Sequence, residues 1–121
     1  MKLTPKLEVI FYRSASGDDP AAEWIKSLSK ADRQTIGKDL MKIQIGWPIG
    51  MPLARKLESD LWEMRSNLRD GIARVLFTIE GKKMIVLHGF IKKTQKTPLA
   101  ELQTARQRLA NRKRGAYEKK Q

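Results

Sequence analysis

Apolar positions along the chain change period several times, and each change marks an element. Leu7-Glu8-Val9-Ile10-Phe11-Tyr12 is β-branched and aromatic and stops at Ser14-Ala15-Ser16-Gly17, which predicts a first strand. Asp19 before Pro20 predicts an N-cap with proline at the first helical position. The helix it opens places Ala21, Ile25 and Leu28 on one side. Ser29 predicts the cap of a second helix, with Asp32 in the place of the capping-box acid. Within it Ile36, Leu40 and Ile43 recur at spacings of four and three, so one stripe faces a core, and Gly46-Trp47-Pro48 ends it.

Residues 48–60 carry Pro48, Gly50 and Pro52 without a sustained period and read as a loop. Three strands are predicted next. Leu61-Trp62-Glu63-Met64-Arg65 alternates, Ile72 to Ile79 is β-rich and entered through Asp70-Gly71, and Met84 to Ile91 is nearly continuously apolar after a Glu80-Gly81-Lys82 turn. Such a run suits a central strand covered on both faces. Thr97 then caps and Pro98 starts a last helix striped by Leu99, Leu102, Ala105 or Arg106, and Leu109, fraying from Asn111 onward. No repeat or internal linker interrupts this order. It predicts one α+β domain over residues 1–113, β-α-α-β-β-β-α with a small antiparallel sheet, a helical hairpin and a C-terminal helix, and a basic tail over 114–121.

Composition narrows the chemistry. The 121 residues hold no Cys, which excludes a disulfide scaffold, a Cys-ligated zinc site and a thiol nucleophile. A single His, His88, excludes a two-His metal clamp or acid/base pair. Glu58, Asp60 and Glu63 are interleaved with Arg and Lys and lack a ligand spacing, so neither a metal nor another cofactor is expected. No apolar run approaches the roughly 20 residues of a membrane span, and no long apolar stretch leads the chain, so a cytoplasmic location without membrane contact is expected.

Charge points to partners. The chain carries 25 Lys+Arg against 13 Asp+Glu, a formal net +12. Residues 1–90 hold 15 basic and 11 acidic groups (+4), and residues 91–121 hold 10 and 2 (+8). The excess begins before the last helix, so part of it is a surface and not a tail. A polyanion is the first expectation for a partner, an anionic membrane surface the second, and a merely very soluble protein the plain alternative.

Three places carry candidate chemistry. Alternation puts Leu61, Glu63 and Arg65 on one face of their strand, while Arg74 points away from the apolar face of Ala73, Val75, Phe77 and Ile79. Arg65 and Arg74 then share a sheet face and suit a phosphate, since each offers a fork of donors and keeps its charge. The competing reading pairs Arg65 with Glu63 or Asp70 at the surface. Lys92, Lys93 and Lys96 surround the entry to the last helix, where free N–H groups reinforce an anion site. A lone His on a strand is more commonly structural than catalytic, so His88 stands as a packed residue with general base as the rival. Trp24, Trp47 and Trp62 are assigned to core or lid and not to base stacking. Tyr12 and Tyr117 are the only tyrosines.

Leu61-Trp62-Glu63-Met64-Arg65, Ala73-Arg74-Val75-Leu76-Phe77 and His88-Gly89-Phe90-Ile91-Lys92-Lys93-Thr94-Gln95-Lys96-Thr97-Pro98 together resemble the phage-derived HigB-type toxins of the RelE/ParE superfamily. The resemblance covers about residues 6–112, and its last stretch is the most specific. It implies a type II toxin–antitoxin toxin with the superfamily's small antiparallel sheet, helical hairpin and C-terminal helix. It further implies a ribosome-dependent mRNA endonuclease that works without a metal, silenced by a HigA-type helix-turn-helix antitoxin. Carried over by position, Arg65 and Arg74 hold the phosphate from the sheet, with Lys92, Lys93 and Lys96 on the other side. Some relatives place a tyrosine or histidines near the C-terminal helix, where Thr97-Pro98-Leu99 supplies neither. The proton-transfer group is then His88, Glu63 or a lysine of depressed pKa. Two rivals stand beside this: a ParE-like gyrase inhibitor of the same fold, and a non-catalytic phage-derived nucleic-acid-binding module. The basic face from Lys92 onward is expected to lie under the partner.

Overall fold

The computed structural model describes residues 4–92 and 97–119. The chain runs through β1 (Glu8–Phe11), α1 (Pro20–Lys26), α2 (Lys30–Gly46), β2 (Ala54–Glu58), β3 (Leu61–Leu68), β4 (Gly71–Glu80), β5 (Lys83–Lys92) and α3 (Leu99–Lys119). The five strands form one sheet in the order β1-β5-β4-β3-β2. β2 to β5 make an antiparallel meander, and β1 returns parallel to β5 at the far edge. Each hairpin closes on two residues, and Gly81 (φ 57°) takes the left-handed backbone that the tight β4–β5 turn requires.

The helices split between the two faces. Ile36, Leu40 and Ile43 of α2 are buried as their spacing predicts, against Met64, Ala73, Val75 and Phe77 of the sheet. Ser29 Oγ accepts the Asp32 N–H at 3.2 Å, the expected cap. α1 lies over β5, where Trp24 covers Gly89 so closely that a Cβ there would overlap the ring. On the opposite face Ala105 and Leu109 of α3 join Leu61, Leu76, Ile85, Leu87 and Phe90. β5 is therefore covered on both sides, which explains its unbroken apolar run.

Several expectations change. Residues 48–60 are not all loop: Ala54–Glu58 form an edge strand paired with β3, so the order is β-α-α-β-β-β-β-α. Its Arg, Lys and Glu hide any apolar period, because an edge strand buries little and is held by ladder bonds. Asp19 sits at the N-cap of α1, but its carboxylate pairs with Arg13 at 3.0 and 3.2 Å and caps nothing. Pro98 precedes α3, and its carbonyl accepts from Glu101 and Leu102, so Thr97 is not the cap. Leu99 is exposed, and at the next turn Ala105 is the core residue while Arg106 turns outward to Glu58. Finally, α3 does not fray at Asn111. It continues because Asn111 Nδ2 donates to the Tyr12 hydroxyl, Arg112 grips Glu80, and Lys113 meets Asp60.

A β-bulge decides what faces α3. Leu76 pairs with His88 and Phe77 with Val86, leaving Leu87 as the extra residue of β5. Leu87 and His88 both end up on the α3 side, and Phe90 and Lys92 follow in register. Without the bulge His88, Phe90 and Lys92 would point at α1 and α2.

Candidate functional site

At the open end of the α3 face lies a charged cluster that the sheet itself builds. Arg65 and Arg74 are direct partners across β3 and β4, so they share a face as alternation predicts. Like charges directly opposite repel. Arg74 instead reaches diagonally to Glu63, donating from Nη1 to Oε1 at 2.8 Å. Arg55, opposite Glu63 on β2, donates from Nε to the same oxygen at 3.2 Å. Thr97 donates its hydroxyl to Oε2 at 2.6 Å. Glu63 is fully buried and Arg74 nearly so, at 2% exposure.

Lys92 closes the cluster from the end of β5. It is 4% exposed, and its Nζ has no hydrogen-bond partner among the described residues; the same holds for Arg74 Nε. Burial, followed by the charge of Arg74, pushes the Lys92 ammonium below its usual pKa, with Arg55 and Arg65 adding to the effect. Burial likewise lowers Arg74, and Arg65 and Arg55 add to this against the pull of Glu63. One carboxylate thus faces three close cations, with Arg65 beside them. Among the described residues the surplus is positive and two buried donors have no acceptor, a costly arrangement unless an anion completes it. Arg55, about one-third exposed, leads from the cluster to solvent.

His88 stands apart. It and Glu63 both neighbour Leu76, on opposite sides, which puts their backbones about 10 Å apart at ordinary strand spacing. Its Nδ1 accepts from Arg108 at 3.2 Å, so its Nε2 carries the hydrogen and donates to Glu101 at 3.1 Å. The ring stacks on Phe90, and burial lowers its pKa. Both nitrogens are used in fastening α3 to β5. His88 is therefore packed and hydrogen-bonded between β5 and α3.

The cluster and its surrounding strands fall inside a family match. A model of the phage-derived Gp49-like proteins (DUF891) covers residues 23–110, from α1 to within α3. The chain belongs to this family. Gp49-like proteins are associated with RelE/HigB-like toxins. No curated protein matches the chain.

Of the residues singled out from sequence, this Gp49-like chain brings Arg65, Arg74 and Lys92 to one end of one face. Lys93 and Lys96 lie outside the described residues. Arg65 has no ion pair among them, so neither Glu63 nor Asp70 neutralises it; it lines a cleft of about 530 Å³ with Thr35, Asp39 and Lys42 of α2. Glu58, Asp60 and Glu63 are each taken by separate cations: Arg106, Lys113, and Arg55 with Arg74. No group of three acidic or His residues suited to a metal occurs among the described residues, and none of their helices is long and apolar enough to cross a membrane.

Sequence reasoning missed Arg55, Thr97 and the central place of Glu63. Arg55 lies in a segment whose prolines and glycine read as loop, and Thr97 stands where a helix cap is expected. Glu63 did carry a signal: it shares its strand face with Leu61, a face the fold buries. The expected basic surface is also less free than its charge suggests, because Arg106, Arg112 and Lys113 are spent on Glu58, Glu80 and Asp60.

Proposed function

We propose that this Gp49-like protein is the toxin of a type II toxin–antitoxin system that cleaves mRNA on the ribosome without a metal. The observation that carries this reading is the Glu63-centred cluster, whose cations exceed its carboxylate and whose buried Lys92 Nζ and Arg74 Nε have no acceptor among the described residues. A phosphodiester supplies one. In metal-free cleavage the ribose 2′-oxygen attacks the adjacent phosphorus in line as the 2′-hydroxyl gives its proton to solvent water. The bond to the 5′-oxygen breaks, that oxygen takes a proton, and a 2′,3′-cyclic phosphate remains. Negative charge grows on the phosphoryl oxygens, where preorganised cations are most effective.

Each residue takes a role from its geometry. Glu63 holds the Arg74 and Arg55 guanidiniums in place, since both its oxygens are already accepting. Arg74, Lys92 and Arg65 grip the phosphate; Lys93 and Lys96, outside the described residues, join them only by their place in the sequence. Of the three proton-transfer candidates, His88 has both nitrogens engaged and Glu63 both oxygens. Lys92 remains: an ammonium of lowered pKa gives a proton to the departing 5′-oxygen more readily than an ordinary lysine. A helix-turn-helix antitoxin covering the face from Lys92 onward, a ribosome-bound message as substrate and a cytoplasmic location belong to the same reading.

Controlled expression tests it, with pulse-labelled translation and DNA synthesis followed together and message ends mapped. Translation should stop first, with new ends in translated messages, and Lys92→Met should abolish both effects in a folded protein. DNA synthesis failing first with messages intact would place the chain with gyrase inhibitors. If neither process stops while nucleic acid is still bound, the protein is a binding module.

A further inference from the structure

The sheet ends at β2, and the outer side of that strand is open. The Arg65 N–H donates to the Leu53 carbonyl at 2.9 Å, which fixes the phase of the β2–β3 ladder. Arg55 and Glu63 then form a hydrogen-bonded pair, while Ala54 and Lys56 turn their backbone groups away from β3. The Gly50 carbonyl takes the Ala54 N–H at 3.2 Å. The Ala54 carbonyl and both backbone groups of Lys56 have no backbone partner among the described residues. A register shift between Lys56 and Glu58 closes this stretch and keeps it short.

The strand's two faces differ at this edge. On the side of α1 and α2, Ala54 and Lys56 border a cleft of about 570 Å³ with Trp47, Met51 and Trp62. Its walls are apolar and firm: Trp62 stacks on Phe77, and Trp47 meets both rings edge-on. Met51 stands 66% exposed at the rim. On the α3 side, Arg55 donates to Glu63 through Nε alone among the described residues, and its side chain is 36% exposed. Its remaining guanidinium nitrogens face solvent.

We infer that the β2 edge takes an extended acidic segment of a partner protein as an added strand, with a large apolar side chain in the Trp62 cleft and a carboxylate on the opposite face against Arg55. The inference goes beyond the toxin reading and does not depend on it. Strand alternation joins the two contacts: the partner residue level with Lys56 shares its face and enters the cleft, and the next residue points the other way, toward Arg55. Three observations choose this occupant. Open backbone groups at strand spacing beside a side-chain cleft suit a polypeptide, which supplies both main chain and anchor. Arg55 and the exposed Lys56, in a chain of formal net charge +12, complement acidic side chains. A second copy of this chain is unsuited, because its own β2 would set Arg55 and Lys56 against the same two cations.

The test titrates the whole nitrogen-15-labelled protein with the end-capped peptide Thr-Thr-Glu-Leu-Glu-Thr-Thr, in millimolar excess, and follows its amide, indole and guanidinium N–H signals by NMR. The Lys56 amide should shift and gain protection from exchange, and the Trp62 indole and Arg55 Nε–H signals should move with it. A peptide with both glutamates replaced by lysine should bind at least about 10-fold more weakly. Methylating the leucine nitrogen removes the donor to the Lys56 carbonyl and should weaken binding by about 10-fold as well. Lys56→Pro should block strand addition while sparing the β3 ladder, because the lost N–H points outward. Circular dichroism checks its fold, and the methylated peptide makes the same test on the unaltered protein. No response at β2, or equal affinity for all three peptides, would overturn the inference. So would a response centred on Arg65, Arg74 and Lys92, which would assign the peptide to the buried charge cluster.

Discussion

The two faces of the sheet are built on opposite principles. Under α1 and α2 the packing is apolar and aromatic, with Met64, Val75 and Phe77 meeting Ile36, Leu40 and the tryptophans. Under α3 the apolar part covers half the face, and the rest is Glu63, Arg74, Lys92 and the His88–Glu101–Arg108 chain. Apolar burial is non-directional and stabilises wherever shape fits. Buried charge stabilises little, yet it is sensitive to the loss of any one partner. One face therefore holds the domain together, while the other keeps donors oriented in a dry setting at some cost in stability.

The largest effect should come from truncating neighbours that point opposite ways. Glu63→Ala strands Arg74 in the interior and should cost about 3–5 kcal/mol in urea unfolding. Met64→Ala should cost roughly 2–5 kcal/mol through its cavity. The two losses differ in how they can be recovered. Replacing Glu63, Arg74 and Lys92 together with Met, Leu and Met should restore most of the first, since no buried charge is then stranded and Arg55, which loses Glu63, reaches solvent. A triple variant as unstable as Glu63→Ala would show that the cluster is a net source of stability.

Next in size is overpacking on the aromatic face. Gly89→Ala drives a methyl into Trp24 and should cost about 1–3 kcal/mol. Adding Trp24→Leu should recover part of that, and additivity in the double variant would refute the close approach. Smaller, and opposite in sign, is Lys92→Met, which removes an unpartnered ammonium while keeping its volume. It should raise stability by about 1 kcal/mol even as it abolishes toxicity. A drop in stability would mean that Lys92 has a favourable partner.

The smallest effect is a pH dependence on the α3 face. Burial holds folded His88 below the 6.5 of the unfolded chain, so on acidification the unfolded state takes up the proton first. The contribution is full above pH 6.5 and is lost as pH falls through the lower folded value, because burial disfavours the charged imidazole and Arg108 adds to this. His88→Gln should flatten that part of the stability–pH curve. An unchanged slope would assign the acid sensitivity to carboxylates elsewhere.

Much of the framework was legible because it follows from period. The stripe Ile36-Leu40-Ile43, the alternation of Leu61–Arg65 and the apolar run of β5 named their elements and faces correctly. β2 was not, since an edge strand of Ala-Arg-Lys-Leu-Glu needs only ladder bonds on one side. Opposed faces for Arg74 and Val75 also followed from alternation, but the burial of Arg74 did not. That depends on Glu63, Arg55 and Thr97 arriving from other elements.

By itself, then, the sequence determined the segments of every described helix and strand except β2 and the far end of α3, the core stripe of α2, and that Arg65 and Arg74 share a side, because local period and sterics act over a few residues. The tertiary structure decided the rest. The bulge at Leu87 turned Phe90 and Lys92 toward α3, and pairing in three dimensions placed Arg55 against Glu63 and His88 between Arg108 and Glu101. The charge state and partners of a buried group are set by whatever else is packed beside it, and that is a property of the assembled fold.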